Sequence, residues 1–219
     1  MSNSLLIIGE SGTGKTYSLR NLNPAETFII RSVKKPLPIK GWVNKYNADN
    51  KNIYDTDNPL KILEVIKRVS DNAPHVKQII IDDYNYCMSN NLFRADSSKT
   101  KGTKVFTFYT DLARETWALF SELGKFRDDL TIVIMAHTSC DDAGVTKMKT
   151  VGKMIDKDAL EGRFTYIFQS LVINREYKFL TQNINGDSIC KSPPEIFDCE
   201  YIDNDINFAI NKINEHENG

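Results

Sequence analysis

The sequence predicts an α/β fold: a mostly parallel sheet with helices on both faces and a β-hairpin in its C-terminal part. Three observations predict it. Apolar, β-rich runs at Leu5–Ile8, Thr27–Ile30, Val76–Ile81 and Leu130–Ala136 are nearly continuous rather than alternating, the pattern of strands covered on both faces. Stretches with helical spacing of apolar residues lie between them. The first run leads directly into Gly9-Glu10-Ser11-Gly12-Thr13-Gly14-Lys15-Thr16, which matches the G-x-x-x-x-G-K-[ST] pattern of a phosphate-cradling loop. The 219 residues suffice for a single domain, residues 1–219, with a core that needs neither disulfides nor metals.

The glycines of the loop let the backbone turn with its N–H groups pointing inward, and a helix opening near Lys15 adds its positive end. A polyphosphate such as ATP is the expected guest of Gly9–Thr16 and the adjoining Tyr17. Lys15 can reach the outer phosphates as a mobile point charge, and the Thr16 hydroxyl offers one hard oxygen to Mg²⁺.

After the second strand, Arg31–Asn50 holds Lys34-Lys35-Pro36-Leu37-Pro38 and is too proline-broken for a helix, so it reads as an ordered surface loop. Asn58-Pro59 is an N-cap followed by proline at the first helical position, opening a helix through Leu60, Leu63, Ile66 and Val69. The strand that ends in Asp82-Asp83 has the form of the acidic partner of a phosphate loop, with Asp82 expected to hold Mg²⁺. A helix is expected from about Val105 to Phe126, with Phe106, Tyr109, Ala113, Trp117, Phe120 and Leu123 as a core-facing stripe. The strand Thr131–Ala136 then follows the acidic one, and in the ATPase division that hydrolyses rather than transfers phosphate such a strand inserts between the two motif strands. Its tip, His137, is expected to sense the γ-phosphate. Phe164–Ile173 and Tyr177–Asn183 read as a hairpin, and a last helix runs from about Asp205 to Asn214.

The formal net charge of -1 gives no global signal for nucleic acid, so any such contact needs a local patch. Cys87, Cys140, Cys190 and Cys199 form no C-x-x-C pair and read as reduced thiols, and His75, His137 and His216 are too dispersed to ligate a metal together. The start Met1-Ser2-Asn3-Ser4 lacks a basic leader, and no apolar run approaches a bilayer-spanning length, so a cytoplasmic location without membrane contact is expected.

Two bases are open for hydrolysis: Asp83, next to the metal aspartate, and Glu10, inside the loop. Lysines cluster in two segments, Ser97–Lys104 and Thr138–Asp158, which by composition alone are solvated surface.

The assembled pattern resembles the phage-encoded, RecA-like P-loop nucleotide-binding proteins, a family associated with single-strand annealing and recombination. The residues that carry the likeness are Gly9–Thr16, Lys35–Pro38, Ile79–Asp83, Ile134–His137, Val151–Asp156, Leu160–Phe164 and Phe179–Asn183. The resemblance implies a RecA-like core, an Mg²⁺-dependent ATPase and single-stranded DNA as a partner; Lys15, Asp83 and His137 are the catalytic residues expected from the residues themselves. It assigns DNA contact to Lys99, Lys101 and Lys104 in one loop and to Lys147, Lys149 and Lys153 in the other. It also implies self-association into a ring or filament, a phage or host single-strand-binding protein as a further candidate partner, and the host cytoplasm as the location. One departure is visible: RecA-like enzymes usually carry a glutamate just past the second strand, and here Ile30 is followed by Arg31-Ser32-Val33-Lys34. Slow hydrolysis, hydrolysis that relies on Asp83 or Glu10, and ATP control of assembly without hydrolysis are the three expected outcomes. Two other functions compete, a nucleotide-switched replication partner such as a helicase loader, and a small-molecule kinase, whose arginine-bearing lid has no match in these lysine loops.

Overall fold

A computed structural model describes residues 1–95, 104–151 and 160–219. Its strands are β1 (Asn3–Ile8), β2 (Thr27–Arg31), β3 (Ile53–Asp55), β4 (Gln78–Asp82), β5 (Thr131–Ala136), β6 (Thr138–Cys140), β7 (Thr146–Met148), β8 (Tyr166–Ile173), β9 (Glu176–Leu180) and β10 (Tyr201–Asp203). The helices are α1 (Trp42–Lys45), α2 (Pro59–Asn72), α3 (Asn85–Arg94), α4 (Lys104–Glu122) and α5 (Ile206–Asn218).

The main sheet has 8 strands in the order β10-β9-β8-β1-β5-β4-β2-β3. Neighbours from β8 through β3 are parallel, while β9 returns antiparallel to β8 and β10 antiparallel to β9. As the sequence predicts, β5 inserts between β1 and β4. In the β1–β5 register Ile8 lies opposite Ala136, and Gly9 N–H donates to the Ala136 carbonyl at 3.1 Å. The start of the phosphate loop therefore sits beside the tip of β5.

The pleat divides the apolar runs between two cores. Leu6, Ile8, Ile79, Ile81, Ile132 and Ile134 face α2 and α4, whereas Leu5, Ile7, Ile29, Ile80, Val133 and Met135 face α5 and the segment after β2. Burial on both faces is why these strands read as continuous apolar runs rather than alternating ones. Asn58 caps α2 by accepting from the Lys61 N–H at 2.9 Å. Its inward stripe is Ile62, Val65, Ile66 and Val69, each worth about 1.5–3 kcal/mol of transfer energy, while Leu60 points outward.

Several expectations are corrected. The aromatic stripe of α4 is rotated: Leu112, Thr116, Leu119 and Phe120 are buried, whereas Phe106 and Trp117 are 73% and 50% exposed. Trp117 is instead covered by the Arg163 guanidinium, 5.3 Å from its ring. The segment after β2 is not purely surface, because Leu37, Ile39 and Tyr46 are buried and Trp42 opens the short α1. The segment after His137 is not a plain loop. It begins with the antiparallel pair β6–β7, in which Ser139 lies opposite Lys147. The helix after the phosphate loop is a 3₁₀ turn confined to Thr16–Asn21, with Leu22 already extended and Pro24 close behind. A turn this short adds little dipole to the loop.

The C-terminal hairpin forms as expected. Asn174 and Arg175, at φ 52° and 68°, make the left-handed pair that a two-residue turn needs. Asp205 caps α5 by accepting from Asn207 and Phe208 N–H groups. Among the described residues no helix is long and apolar enough to cross a membrane.

Candidate nucleotide site

At the carboxyl ends of β1, β5 and β4 a pocket of ≈ 320 Å³ opens between the glycine-rich loop and the segment after β2. Gly12 and Gly14 hold φ of 82° and 96°, and a Cβ on Gly14 would stand 2.8 Å from Cδ1 of Tyr177. Close approach as well as backbone geometry therefore demands glycine there.

Lys15 is 6% exposed, and its ammonium donates to the carbonyl oxygens of Gly9 at 2.7 Å and Glu10 at 2.8 Å. Burial lowers its pKa, and the charges of Asp83 and Asp82 oppose that shift. Thr16 Oγ1 donates to Asp82 Oδ1 at 3.0 Å, which brings together the two oxygens expected to bind metal. Asp82 is 1% exposed, and its pKa is pushed up to about 6 by burial first and the adjacent Asp83 charge second. A buried carboxylate beside a hydroxyl is a hard-oxygen donor set with negative charge to neutralise, and it fits Mg²⁺. Among the described residues no group of three or more His, Cys, Asp or Glu side chains is placed to hold a metal, so such an ion would complete its shell from phosphate and water.

Asp83 occupies the left-handed region at φ 59°, a conformation that aspartate tolerates better than most residues. Its Oδ2 accepts from the Lys35 ammonium, and its Oδ1 lies 3.6 Å from His137 Nε2. Burial lowers the His137 pKa, followed by the Lys15 charge, against the pull of Asp83; the imidazole is therefore neutral at neutral pH. Glu10 is turned elsewhere: it lines none of this pocket, and its Oε1 accepts from Thr138 Oγ1 at 2.5 Å. Of the two candidate bases, only Asp83 lines the pocket.

Tyr17 flanks the pocket, with the Arg20 guanidinium 4.6 Å from its ring and the Tyr177 ring 5.6 Å away. Ser11 and Gly12 also line the pocket, while Thr13 Oγ1 donates to the Glu10 carbonyl at 2.9 Å and tightens the loop. Among the lysines assigned to DNA, Lys104 is exposed at the start of α4 and Lys149 is exposed just past β7. Lys147 pairs with Asp141 at 2.7 Å. Lys99, Lys101 and Lys153 lie outside the described residues.

Three further residues join the site without having been assigned to it from sequence. Lys35 arrives from the segment after β2; Lys35–Pro38 carries part of the resemblance, but nothing local in the sequence gives this lysine a role in the pocket. Tyr177 arrives from the C-terminal hairpin. Asn85, at the start of α3, accepts the His137 N–H with Oδ1 and donates through Nδ2 to the Lys149 carbonyl. It thus ties the tip of β5 to the lysine-bearing hairpin.

A glycine-rich loop following β1, an acidic β4 and an intervening β5 with a polar tip are consistent with an α/β RecA-like core. No protein-family model matches the chain, and no curated protein matches it. Among solved structures, a KaiC-like protein of the hyperthermophilic archaeon Pyrococcus horikoshii is similar at 15% identity and a TM-score of 0.39, over 81% of this chain and 76% of that one.

Proposed function

We propose that the protein is an Mg²⁺-dependent ATP-binding and ATP-hydrolysing recombination protein that binds single-stranded DNA and promotes strand annealing. The observation that carries the nucleotide part is the convergence of Lys15, Thr16, Asp83 and His137 on one pocket, with Asp82 hydrogen-bonded to Thr16. In this reading the loop amides and Lys15 bind and orient the triphosphate. Thr16 and Asp82 hold Mg²⁺, which when bound neutralises charge on the outer phosphates. Asp83 accepts a proton from the water whose oxygen attacks the γ-phosphorus. The bond to the bridging oxygen breaks, ADP leaves with the bonding electrons, and the proton passes to solvent. Neutral His137 donates a hydrogen bond to a γ-oxygen.

The DNA part is supported by the Asn85 bridge, which links the β5 tip to a hairpin carrying Lys147 and Lys149. Lysine contacts to the backbone give sequence-tolerant, salt-sensitive binding, and copies of the chain assemble along the strand as a ring or filament. The test is ATP turnover with and without single-stranded DNA, combined with annealing of complementary strands across a salt series. Stimulated turnover and annealing at low salt, both lost in Lys15→Ala, support the reading; no DNA binding at low salt removes its recombination part. One observation favours a second reading, a nucleotide-switched replication partner such as a helicase loader: Lys35 neutralises the candidate base Asp83. Zero turnover together with ATP-dependent binding to a replication protein selects that one.

A further inference from the structure

Lys35 and Lys15 place two ammonium groups in one pocket, and they are held differently. Lys15 is gripped by carbonyls of its own loop, whereas Lys35 is bound through a side chain, the Asp83 carboxylate. The backbone beneath Lys35 is pinned. Buried Arg31 donates from Nη1 to the Lys35 carbonyl at 2.7 Å, and its Nε and Nη2 make a bidentate pair with Asp55 at 2.7 and 3.0 Å. Pro36 and Pro38 stiffen the chain that follows. The result is a rigid base carrying a flexible four-carbon stem with a charge at its end.

The direction of that stem is informative. Asp83 lies one residue beyond the expected metal ligand Asp82 and beside His137 at the tip of β5, and it lines the same pocket as Lys15 and Thr16. A triphosphate whose terminal phosphoryl group lay beside Lys15 and Asp83 would set two anions, phosphate and the Asp83 carboxylate, in competition for one ammonium, that of Lys35. The phosphoryl group carries more charge and more acceptor oxygens. Burial works against a charge on Lys35, yet its bond to Asp83 and the nearby Asp82 charge raise the pKa above the ordinary lysine value.

We propose that Lys35 is a second phosphate-binding lysine, specific for the terminal phosphate of a nucleoside triphosphate, and that its capture by that phosphate releases Asp83 from their ion pair. The inference rests on the reading of this pocket as a nucleotide site. It gives the pocket a discriminator between triphosphate and diphosphate: with ADP the carboxylate remains paired to Lys35, and with ATP it is free to face the water.

Calorimetric titration with Mg·ATP and Mg·ADP separates the possibilities. In Lys35→Met, which keeps most of the stem, Mg·ATP affinity is expected to fall roughly tenfold to a hundredfold and Mg·ADP affinity to stay within about twofold. Equal effects on both nucleotides, or on neither, overturn the inference while leaving the nucleotide site standing. Binding of neither nucleotide by the wild-type protein fails the site itself, and the inference with it. Since Lys35→Met leaves Asp83 buried without its cation, Lys35→Met/Asp83→Asn serves as the second variant. Asp83→Asn alone is expected to tighten Mg·ATP several-fold by freeing Lys35, a gain the double variant should lose. A gain of equal size in both backgrounds overturns the exchange.

Discussion

Thr16 Oγ1 and Asp82 Oδ1 meet at 3.0 Å although they lie 66 residues apart in the chain, one at the end of the phosphate loop and the other at the end of β4. The contact brings a hydroxyl and a buried carboxylate to one point beside Lys15. If this point holds Mg²⁺, Thr16→Ala removes one hard oxygen without disturbing the loop backbone. Magnesium-dependent ATP affinity should fall roughly tenfold while metal-free binding changes little, as read by titration with and without EDTA.

Asp82 gives a pH dependence whose sign is opposite to that of most carboxylates. Its folded pKa is raised from 3.8 to about 6, so the folded state holds the proton more tightly than the unfolded chain does. The contribution of this group to stability is full below about pH 4, is lost as pH rises through about 6, and is level above that. Compared with Asp82→Asn under metal-free conditions, the wild-type protein should match the variant's melting temperature near pH 4 and fall roughly 5 °C below it at pH 8. Added Mg²⁺ should recover part of the difference at pH 8 and little at pH 5.

Gly14→Ala places a methyl group against the Tyr177 ring at a φ of 96°. The left-handed backbone alone costs about 1–2 kcal/mol, and the clash adds to it. Thermal melting should show the loss, and Tyr177→Ala in the same chain should restore only the part due to the ring.

Asn85 bonds both His137 and Lys149. Asn85→Ala should leave Mg·ATP affinity within about threefold, yet remove most of the increase in single-stranded DNA affinity that ATP produces. Fluorescence anisotropy of a labelled oligonucleotide, with and without nucleotide, measures that coupling.

The rotated face of α4 separates two substitutions that the sequence alone would treat alike. Phe120 is buried between Tyr84 and Phe164, with ring centroids 5.1 and 5.5 Å away, and Phe120→Ala should cost about 3–5 kcal/mol in urea unfolding. Phe106→Ser, at an exposed position, should cost less than about 0.5 kcal/mol.

Much of the sheet was legible because strands buried on both faces leave no polar residues to interrupt them: Leu5–Ile8 and Ile132–Ala136 carry their assignment in four or five letters. The phosphate loop was legible because its backbone geometry demands glycine at particular spacings. Helix α3 was not, since Asn85, Ser89, Asn90 and Asn91 are poor helix formers held by tertiary hydrogen bonds such as Asn90 to Asp57. The stripe of α4 was misplaced because Thr116, a polar residue, occupies a buried position that aromatic spacing assigned to its neighbour Trp117. Lys35 and Tyr177 enter the site through pairings across 48 residues of chain and through a returning hairpin, and local patterns carry no record of either.

The most direct measurement is calorimetric titration of Mg·ATP into the wild-type protein and into Lys15→Ala. A pocket built to clasp a triphosphate gives saturable binding by the wild type and at least roughly tenfold weaker binding once the ammonium of Lys15 is removed. Undetectable heat and no competition by ATP in the wild type, or equal affinity in both proteins, would contradict the assignment of Gly9–Thr16 as a nucleotide site.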